Sequence, residues 1–159
     1  MPIAIGAQMP DVKLTIVENG EVREQAAPAF FAGKTVALFA VPGAFTGTCQ
    51  MKHLPSFLNH ADEFKAKGAE IVCLAVNDKD VMKAWSKATN ADGKITFIAD
   101  GSGFFTKALG LEGDYSQFGM GLRSRRFSML IKDGVLKELN VEEPGKFEKS
   151  SGEVMLQAL

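Results

Sequence analysis

The chain reads Thr35-Val36-Ala37-Leu38-Phe39-Ala40-Val41, and a short stretch of small and polar residues, Pro42-Gly43-Ala44-Phe45-Thr46-Gly47-Thr48-Cys49, follows directly. The first run is apolar almost throughout, which is typical of a strand whose two faces are both covered. After Cys49 the apolar residues recur at helical spacing, and this pattern predicts a helix over about 48–67. We expect Pro55 to kink or interrupt that helix. A buried strand that leads through a tight loop into a helix favours an α/β fold.

Cys49 lies at this predicted strand-to-helix junction, and the carboxyl edge of such a sheet commonly carries ligand sites. The unpaired N–H groups and the positive dipole end in a helix's first turn favour a thiolate over a thiol. Thr46 offers a hydroxyl to the sulfur or to a substrate oxygen, and it could also cap the helix. Pro42 has a fixed φ and no N–H, so it can shield the sulfur from water. These residues together predict a nucleophilic cysteine.

The second cysteine, Cys73, lies within another apolar run, and this position predicts a buried, inert thiol. Two cysteines in 159 residues do not make a disulfide scaffold, and they favour a reducing compartment. With His53 and His60 they match no common zinc spacing, so we expect no metal and no other cofactor. His53 follows Cys49 by four residues and could share a helix face with it. We assign His53 a supporting role at most.

The remaining elements predict a central mixed β-sheet flanked by helices. Further strands are expected at 12–17, in a short polar stretch that follows the turn at 18–20, and at 70–76, 95–99, 127–131 and 135–141. Further helices are expected at 28–33, 79–89, 103–109 and 152–159. A glycine-rich loop is expected before Leu122. Parallel strands followed by an antiparallel hairpin indicate an α/β, thioredoxin-like fold with an N-terminal β extension. A doubly wound nucleotide-binding fold competes, but no Gly-x-Gly-x-x-Gly or Walker-type loop follows the first buried strand.

Length and composition indicate one soluble globular domain over residues 1–159. Apolar residues make up 46% of the chain and charged residues 23%. The formal net charge is −1 with no long basic run, and we expect no nucleic-acid partner. No apolar run approaches the roughly 18–20 residues that span a bilayer, and the first residues lack the pattern of a secretory signal. We therefore expect no membrane association and a cytoplasmic location.

The spacing Pro42-x-x-x-Thr46-x-x-Cys49 resembles the active-site motif of the peroxiredoxins. The wider string Val-Pro-Gly-Ala-Phe-Thr-x-Thr-Cys is similar to the type II, or atypical, subgroup, which includes the plant type II enzymes and the short animal mitochondrial and peroxisomal form. Further similar stretches cover most of the chain, namely Lys52 to Phe57, Val76-Asn77-Asp78, Trp85 and Arg123 to Ser128.

The resemblance implies a thiol-dependent peroxidase that reduces hydrogen peroxide and organic hydroperoxides and serves antioxidant defence. Cys49 would attack the peroxide and become a sulfenic acid. Arg126, matched on the Arg-Phe-Ser string, would complete a catalytic set with Cys49, Thr46 and Pro42, because a guanidinium can stabilise both the thiolate and the departing oxygen. For Arg123 and Arg125 we prefer a solvated basic cluster. The resemblance also implies a homodimer, with Phe45 and the 113–121 loop as contacts.

The source of the second thiol is open. The animal form uses a cysteine near its C-terminus, but the corresponding stretch here is Lys149-Ser150-Ser151-Gly152. Cys73 matches the second cysteine of the plant enzymes, yet a buried thiol could reach Cys49 only after local unfolding. We favour an external thiol, supplied by glutaredoxin with glutathione or by thioredoxin.

The chain departs from the common family string at two positions. Gly47 stands where a proline is usual, and Gln50 replaces a serine. Because glycine enlarges backbone freedom, we predict retained activity with a more mobile loop.

Two other functions stay open. A thioredoxin-type disulfide oxidoreductase would need Cys-x-x-Cys, and residues 49–52 read Cys-Gln-Met-Lys. A non-catalytic redox sensor or holdase would need Cys49 but would not need Thr46 and Arg126 beside it.

Overall fold

The computed structural model describes all residues from Met1 to Leu159 and contains a seven-stranded mixed sheet flanked by helices. The strands are β1 (Lys13–Glu18), β2 (Glu21–Ala26), β3 (Thr35–Val41), β4 (Ala69–Ala75), β5 (Ile95–Ala99), β6 (Glu112–Asp114), β7 (Leu122–Ser124), β8 (Phe127–Lys132) and β9 (Val135–Val141). The α-helices are α1 (Ala27–Phe31), α2 (Leu54–Leu58), α3 (Ala61–Ala66), α4 (Lys79–Ala88), α5 (Phe104–Ala108) and α6 (Gly152–Ala158). No helix has the length and apolar character needed to cross a membrane.

The sheet has the strand order β2-β1-β5-β4-β3-β8-β9. The three central strands β3, β4 and β5 run parallel, whereas β1 and β8 pair antiparallel on either side of them. The hairpin β1–β2 is the predicted N-terminal extension, and β8–β9 is the predicted C-terminal hairpin. This arrangement confirms the α/β, thioredoxin-like fold expected from the sequence.

The apolar run of β3 is continuous because its two faces contribute to two separate cores. Val36, Leu38 and Ala40 pack on one face of the sheet, in the core that contains α1 and α5. Phe39 and Val41 pack on the other face, in the core that contains Cys49, α4 and the last helix. Side chains alternate across a strand, so both cores need apolar residues from the same seven positions. The nucleophile candidate therefore lies on one defined side of the sheet.

The predicted helix over 48–67 is divided in the structure, but not at the expected residue. Cys49–His53 forms a π-helical turn, in which the Leu54 amide donates to the Cys49 carbonyl. Pro55 lies in the first turn of α2, where a missing N–H leaves no hydrogen bond unmade. The break comes at Asn59-His60, between α2 and α3. The wide turn directly before Pro55 accommodates the proline, so the helical path continues past it.

The stretch expected as a glycine-rich loop contains a second, two-stranded sheet. Strands β6 and β7 pair antiparallel, and a 3₁₀ turn over Ser116–Phe118 lies between them. The sequence Glu112-Gly113-Asp114 has low strand propensity, so it carried no strand signal. Tertiary pairing with β7 imposes the extended form, and the small sheet projects over the end of the main one beside Pro42.

Candidate active site

Cys49 begins the π-helical turn just beyond the carboxyl end of β3, and its side chain is 1% exposed. Two donors contact its sulfur: Thr46 Oγ1 lies 3.0 Å from Sγ, and Arg126 Nη2 also lies 3.0 Å from it. The backbone amides of Gly47, Thr48 and Cys49 donate to no group of the chain. These unpaired N–H groups add positive potential at the helix start. The surroundings of the sulfur therefore favour negative charge on it.

Thr46 is placed to exchange hydrogen-bonding roles. Its hydroxyl oxygen also lies 2.7 Å from the Gly43 carbonyl oxygen, which can only accept. Because a hydroxyl carries one proton, it donates either to Gly43 or to the Cys49 sulfur at any moment. While it donates to Gly43, its lone pairs are free to accept a hydrogen bond from a peroxide O–H. The side-chain cap of the helix, considered from the sequence, does not form, because no amide of the following turn donates to this hydroxyl.

Arg126 contacts a second side chain as well as the sulfur. Its Nη1 lies 2.8 Å from Nδ1 of His53, and His53 Nε2 lies 2.8 Å from the Ser150 carbonyl oxygen. A carbonyl only accepts, so Nε2 must carry the proton and Nδ1 must be the acceptor for arginine. His53 is fully buried between Phe39 and Phe147, with ring centroids 4.9 and 5.0 Å away. Burial and the Arg126 charge lower its pKa to about 3, and His53 is therefore neutral at physiological pH.

Pro42 lines the opening above the sulfur together with Thr46 and Arg126. The loop that carries it is held from two sides. The Ala44 amide donates to Asn77 Oδ1 at 3.0 Å, and Arg123 Nη1 donates to the Pro42 carbonyl at 3.4 Å. Arg123 Nε also donates to the Met120 carbonyl, at 3.0 Å. Our expectation of a solvated Arg123 is therefore wrong, because Arg123 joins the second sheet to the loop of Pro42.

Gln50 has a specific partner that accounts for its presence after Cys49. Its Oε1 accepts a hydrogen bond of 2.6 Å from Nε1 of Trp85, the sole tryptophan, which is fully buried on α4. This contact ties the first turn after Cys49 to α4. Phe45, in the loop before Cys49, has a left-handed backbone conformation with φ of 64°, which is uncommon for a bulky residue. Its ring is 49% exposed, and it lies 6.4 Å from Trp85.

A cavity of about 790 Å³ opens above the sulfur. Its lining includes Pro42, Thr46 and Arg126 at the base, the second sheet on one side and the turn over 143–146 on the other. Arg125 and Lys146 line it without an ion pair, and Tyr115 lies among them. Burial raises the pKa of the Tyr115 hydroxyl, which therefore stays protonated. The cavity is far larger than hydrogen peroxide needs, so it has room for an organic group.

Cys73 is completely buried in the middle of β4, and both cysteines are free thiols. It pairs in register with Phe39 of β3 and Phe97 of β5, which lie on either side of it in the sheet. Burial, together with the negative charge of Cys49, raises its pKa well above 9.0. The predicted burial of the Cys73 thiol is confirmed.

Three of the four residues predicted as the catalytic set, Pro42, Thr46 and Arg126, line this cavity. Thr46 and Arg126 also contact the sulfur of the fourth, Cys49. The sequence did not show how three other residues contribute to the site. The i, i+4 spacing signalled that His53 lies near Cys49, but not its contact with Arg126. Nothing in the sequence marked Arg123 or the buried Glu142 as neighbours of the site, because both reach it from strands far along the chain.

The fold and the buried cysteine define a class of thiol redox proteins. The Redoxin family model matches residues 4–156. Among curated proteins, Peroxiredoxin-2B of Arabidopsis thaliana is 47% identical over 99% of both chains. Chloroplastic Peroxiredoxin-2E of the same plant is 44% identical over 99% of this chain and 69% of its own. Among solved structures, reduced Prx3 of Vibrio vulnificus in complex with hydrogen peroxide has a TM-score of 0.92 and 48% identity, with 98% of each chain covered.

The chain belongs to the peroxiredoxin family, and its curated relatives are the plant type II members. It is a thiol-dependent peroxidase with an antioxidant function. Its substrates are peroxides, and its cycle requires a thiol reductant. The sequence prediction of family, fold and enzyme class is confirmed.

Proposed function

We propose that Cys49 is the peroxide-attacking thiolate and that Thr46, Arg126 and Pro42 form its catalytic set. The observation that carries this assignment is the pair of 3.0 Å contacts on Sγ, from the Thr46 hydroxyl and from the Arg126 guanidinium. No other thiol of the chain has such contacts, because Cys73 lies among apolar strands. A desolvated thiolate with charged donors is both stable enough to exist and reactive enough to attack.

The reaction follows from these contacts. The Cys49 sulfur attacks the hydroxyl oxygen of the peroxide, so an S–O bond forms as the O–O bond breaks. The sulfur loses two electrons and becomes a sulfenic acid, while the departing oxygen takes a proton and leaves as water or an alcohol. Arg126 stabilises the charge that develops on that oxygen, and the unpaired amides of Gly47 to Cys49 add positive potential at the start of the turn. Thr46 donates its single proton to the Gly43 carbonyl or to the sulfur, and while it donates to Gly43 its oxygen accepts from the incoming peroxide.

Stopped-flow oxidation by hydrogen peroxide tests the assignment, with Trp85 fluorescence as the signal, since its ring is bonded to the residue after Cys49. Cys49→Ser should abolish the change. Arg126→Lys should slow it by about 10²–10³-fold, because the single nitrogen of lysine cannot replace the two guanidinium nitrogens that bond Sγ and His53. Thr46→Val should slow it comparably, whereas Thr46→Ser should restore most of the rate. A wild-type rate no faster than that of a free thiol would instead favour a redox sensor or holdase.

We infer that an external thiol completes the cycle, in the form of glutathione with glutaredoxin or of thioredoxin. The sulfenic acid condenses with a thiol to a disulfide and water, and a second thiol returns Cys49 to its reduced form. Complete burial of Cys73 in β4 supports an external source. The size of the cavity supports entry of an organic thiol.

Steady-state turnover of Cys73→Ser with each reductant system tests this inference. Turnover near that of the wild type with glutaredoxin and glutathione, or with thioredoxin, supports an external thiol. Loss of turnover with both systems, in a variant that still reacts with peroxide at the normal rate, would show that Cys73 is the resolving cysteine. Serine is the matched replacement, because it changes one atom at a fully packed position.

We also propose that residues 1–159 act as a single thioredoxin-like domain, as a homodimer, in the cytoplasm. The exposed apolar rings of Phe45 and Phe118, 49% and 67% exposed, support a dimer contact beside the cavity. Both cores lie against one sheet, which supports a single folding unit. Two free cysteines support a reducing compartment. Fractionation with an antibody against the native chain tests the compartment.

A further inference from the structure

Glu142 is a buried carboxylate that lies next to the site without touching Cys49 or the Arg126 side chain. It is 3% exposed and directly follows β9. Its Oε2 accepts four hydrogen bonds, from the amides of Glu148, Lys149 and Ser150 at 2.9, 2.8 and 2.8 Å and from the Ser150 hydroxyl at 2.7 Å. Its own amide donates to the Arg126 carbonyl at 2.9 Å. One carboxylate therefore holds the chain of Arg126 and the 148–150 segment together.

The 148–150 segment in turn determines how His53 is bonded. The Ser150 carbonyl accepts from His53 Nε2, and this bond places the only ring proton on Nε2. Nδ1 then presents a lone pair to Arg126 Nη1 at 2.8 Å. The guanidinium is planar and rigid, so an acceptor at Nη1 determines where Nη2 points. Nη2 lies on the Cys49 sulfur at 3.0 Å.

We propose that Glu142 is a positioning residue for the peroxidase site: Glu142 holds Ser150, the Ser150 carbonyl fixes the proton of His53, and the contact of His53 with Arg126 is thereby maintained. The proposal rests on the proposed catalytic role of Arg126. It adds a residue more than ninety positions along the chain from Cys49 to the machinery for the reaction.

Physical reasons favour a functional role over a purely structural one. A buried charge is costly, and a leucine of similar volume would satisfy a packing role at this position without that cost. Glu142 forms no ion pair with any lysine or arginine, and its four hydrogen bonds, all to Oε2, are what compensate its burial, while Oε1 is buried without a hydrogen-bond partner. Those bonds order the segment whose carbonyl bonds His53. Burial raises the pKa of Glu142, but the hydrogen bonds from Ser150 and the two amides before it outweigh burial, so the net shift is downward and the carboxylate stays charged.

Two pairs of variants test the proposal. His53→Phe keeps a ring among Phe39 and Phe147 but removes the acceptor for Arg126, whereas His53→Gln restores one acceptor and one donor. Glu142→Leu removes all four hydrogen bonds, whereas Glu142→Gln retains an oxygen acceptor. Glu148→Leu is the matched control, because it deletes an exposed carboxylate from the same segment without a side-chain hydrogen bond.

The readouts are the rate constant for oxidation by hydrogen peroxide and its dependence on pH. We expect His53→Phe and Glu142→Leu each to lower the rate by about 10–100-fold and to shift the profile to higher pH, since a misdirected Arg126 stabilises the thiolate less. His53→Gln and Glu142→Gln should recover most of the loss, and Glu148→Leu should behave as wild type. The double variant His53→Phe/Glu142→Leu should lose no more than the worse single variant, because both act through Arg126.

The other titratable groups around Cys49 do not obscure the profile. Tyr115 and Cys73 both have raised pKa values and stay protonated over the range of the assay. If Glu142→Leu does not fold, Glu142→Asp replaces it, because the shorter side chain draws the carboxylate away from the 148–150 amides, and a wild-type rate and pH profile in that variant would overturn the proposal. Wild-type rate and pH profile in folded His53→Phe would overturn the proposal. If Arg126→Lys is strongly impaired in the same assay, the proposed function stands while this inference fails; if Arg126→Lys is also unimpaired, the proposed function fails as well.

Discussion

At the scale of single residues, His53 shows how burial changes the chemistry of a side chain. A histidine exposed to water titrates near pH 6.5, but this ring is buried against Phe39 and Phe147 and faces the positive charge of Arg126. Its pKa falls to about 3. It therefore acts as a neutral acceptor for an arginine and not as a base for the cysteine. A mechanism in which a histidine base activates the cysteine, as in cysteine proteases, does not match this geometry.

This shift predicts a loss of stability in acid. The folded pKa of His53 is below its unfolded value, so the unfolded chain binds the extra proton between pH 6.5 and 3. The contribution of neutral His53 is fully present above pH 6.5 and is lost as pH falls toward 3. Relative to His53→Gln, which does not titrate, the free energy of unfolding of the wild type should fall by about 3 kcal/mol between pH 7 and pH 4.

Urea unfolding under reducing conditions at a series of pH values measures this difference. Glu142 also loses stabilising hydrogen bonds in acid, because its folded pKa is lowered, but it is present in both proteins and cancels in the comparison. Identical pH dependence in the two proteins would mean that His53 is not held neutral by its surroundings.

At the scale of elements, the loop from Pro42 to Cys49 is determined by its neighbours more than by its own sequence. Asn77, which follows β4, and Arg123, which lies in β7, each hold the backbone of this loop by a hydrogen bond. Gln50 ties the turn after the loop to Trp85. Gly47 is the position with the fewest constraints. Its amide makes no hydrogen bond, and a Cβ built on it would contact nothing within 4 Å.

We predict that Gly47→Pro stabilises the protein and orders this loop while the peroxidase rate stays within about twofold. Gly47 is the first residue of a turn in which the Gln50 amide bonds the Thr46 carbonyl, and proline suits that position. A proline that fits without strain stabilises by about 0.4–1 kcal/mol, which corresponds to about 1–4 °C in Tm for a chain of this size. Hydrogen exchange over 43–50 and thermal unfolding measure the change, with Gly47→Ala as an intermediate control. Unchanged exchange and unchanged Tm would show that the glycine does not loosen the loop.

The last helix contacts the active-site segment through a glycine that has no room for a side chain. The Gly152 amide donates to the Ser56 hydroxyl at 2.9 Å, and a methyl group on Gly152 would overlap the Ser56 carbonyl. We predict that Gly152→Ala lowers the free energy of unfolding by about 2–3 kcal/mol, because α6 must move off α2. Urea unfolding measures it, and Gly47→Ala, where the new methyl group meets open space, is the control. If Gly152→Ala lowered the free energy of unfolding less than Gly47→Ala does, α6 and α2 would separate without cost.

At the scale of the whole molecule, exposed apolar side chains gather on the loops around the cavity. Phe45, Phe118 and Leu122 are 49%, 67% and 39% exposed, and the last two belong to the second sheet and its turn. A water-exposed apolar patch of this kind favours association. The homodimer proposed above would bury it and close one side of the cavity.

We predict that Phe118→Glu weakens the dimer by at least about tenfold in Kd, since it places a charge in an apolar contact. Sedimentation velocity over a range of concentrations measures the equilibrium. Val22→Glu is the control, because Val22 is 39% exposed on β2, at the far edge of the main sheet. A wild-type protein that remains monomeric at high concentration would contradict the dimer itself. An unchanged dimer in the variant would place the interface elsewhere.

Much of the fold could be predicted because local patterns agree with the tertiary structure. The apolar runs of β3, β4 and β5, the turn at Asp133-Gly134 and the cap at Asp78 each specify one element, and each forms as expected. The prediction failed where tertiary contacts override local preference. Strand β6 has weak propensity and forms only by pairing with β7, and the helix after Cys49 breaks at Asn59-His60 and not at Pro55.

The amino-acid sequence by itself determined which chemistry this protein carries: a cysteine at a strand-to-helix junction, a threonine and a proline at fixed spacing, and a fold that holds them at one edge of a sheet. Only the tertiary structure decided what surrounds the sulfur. Arg126, His53, Ser150 and Glu142 meet because β8, β9 and the C-terminal segment return to the end of β3. Periodicity along a chain shows which face a side chain occupies. The distant groups that share that face depend on how the strands are ordered and paired.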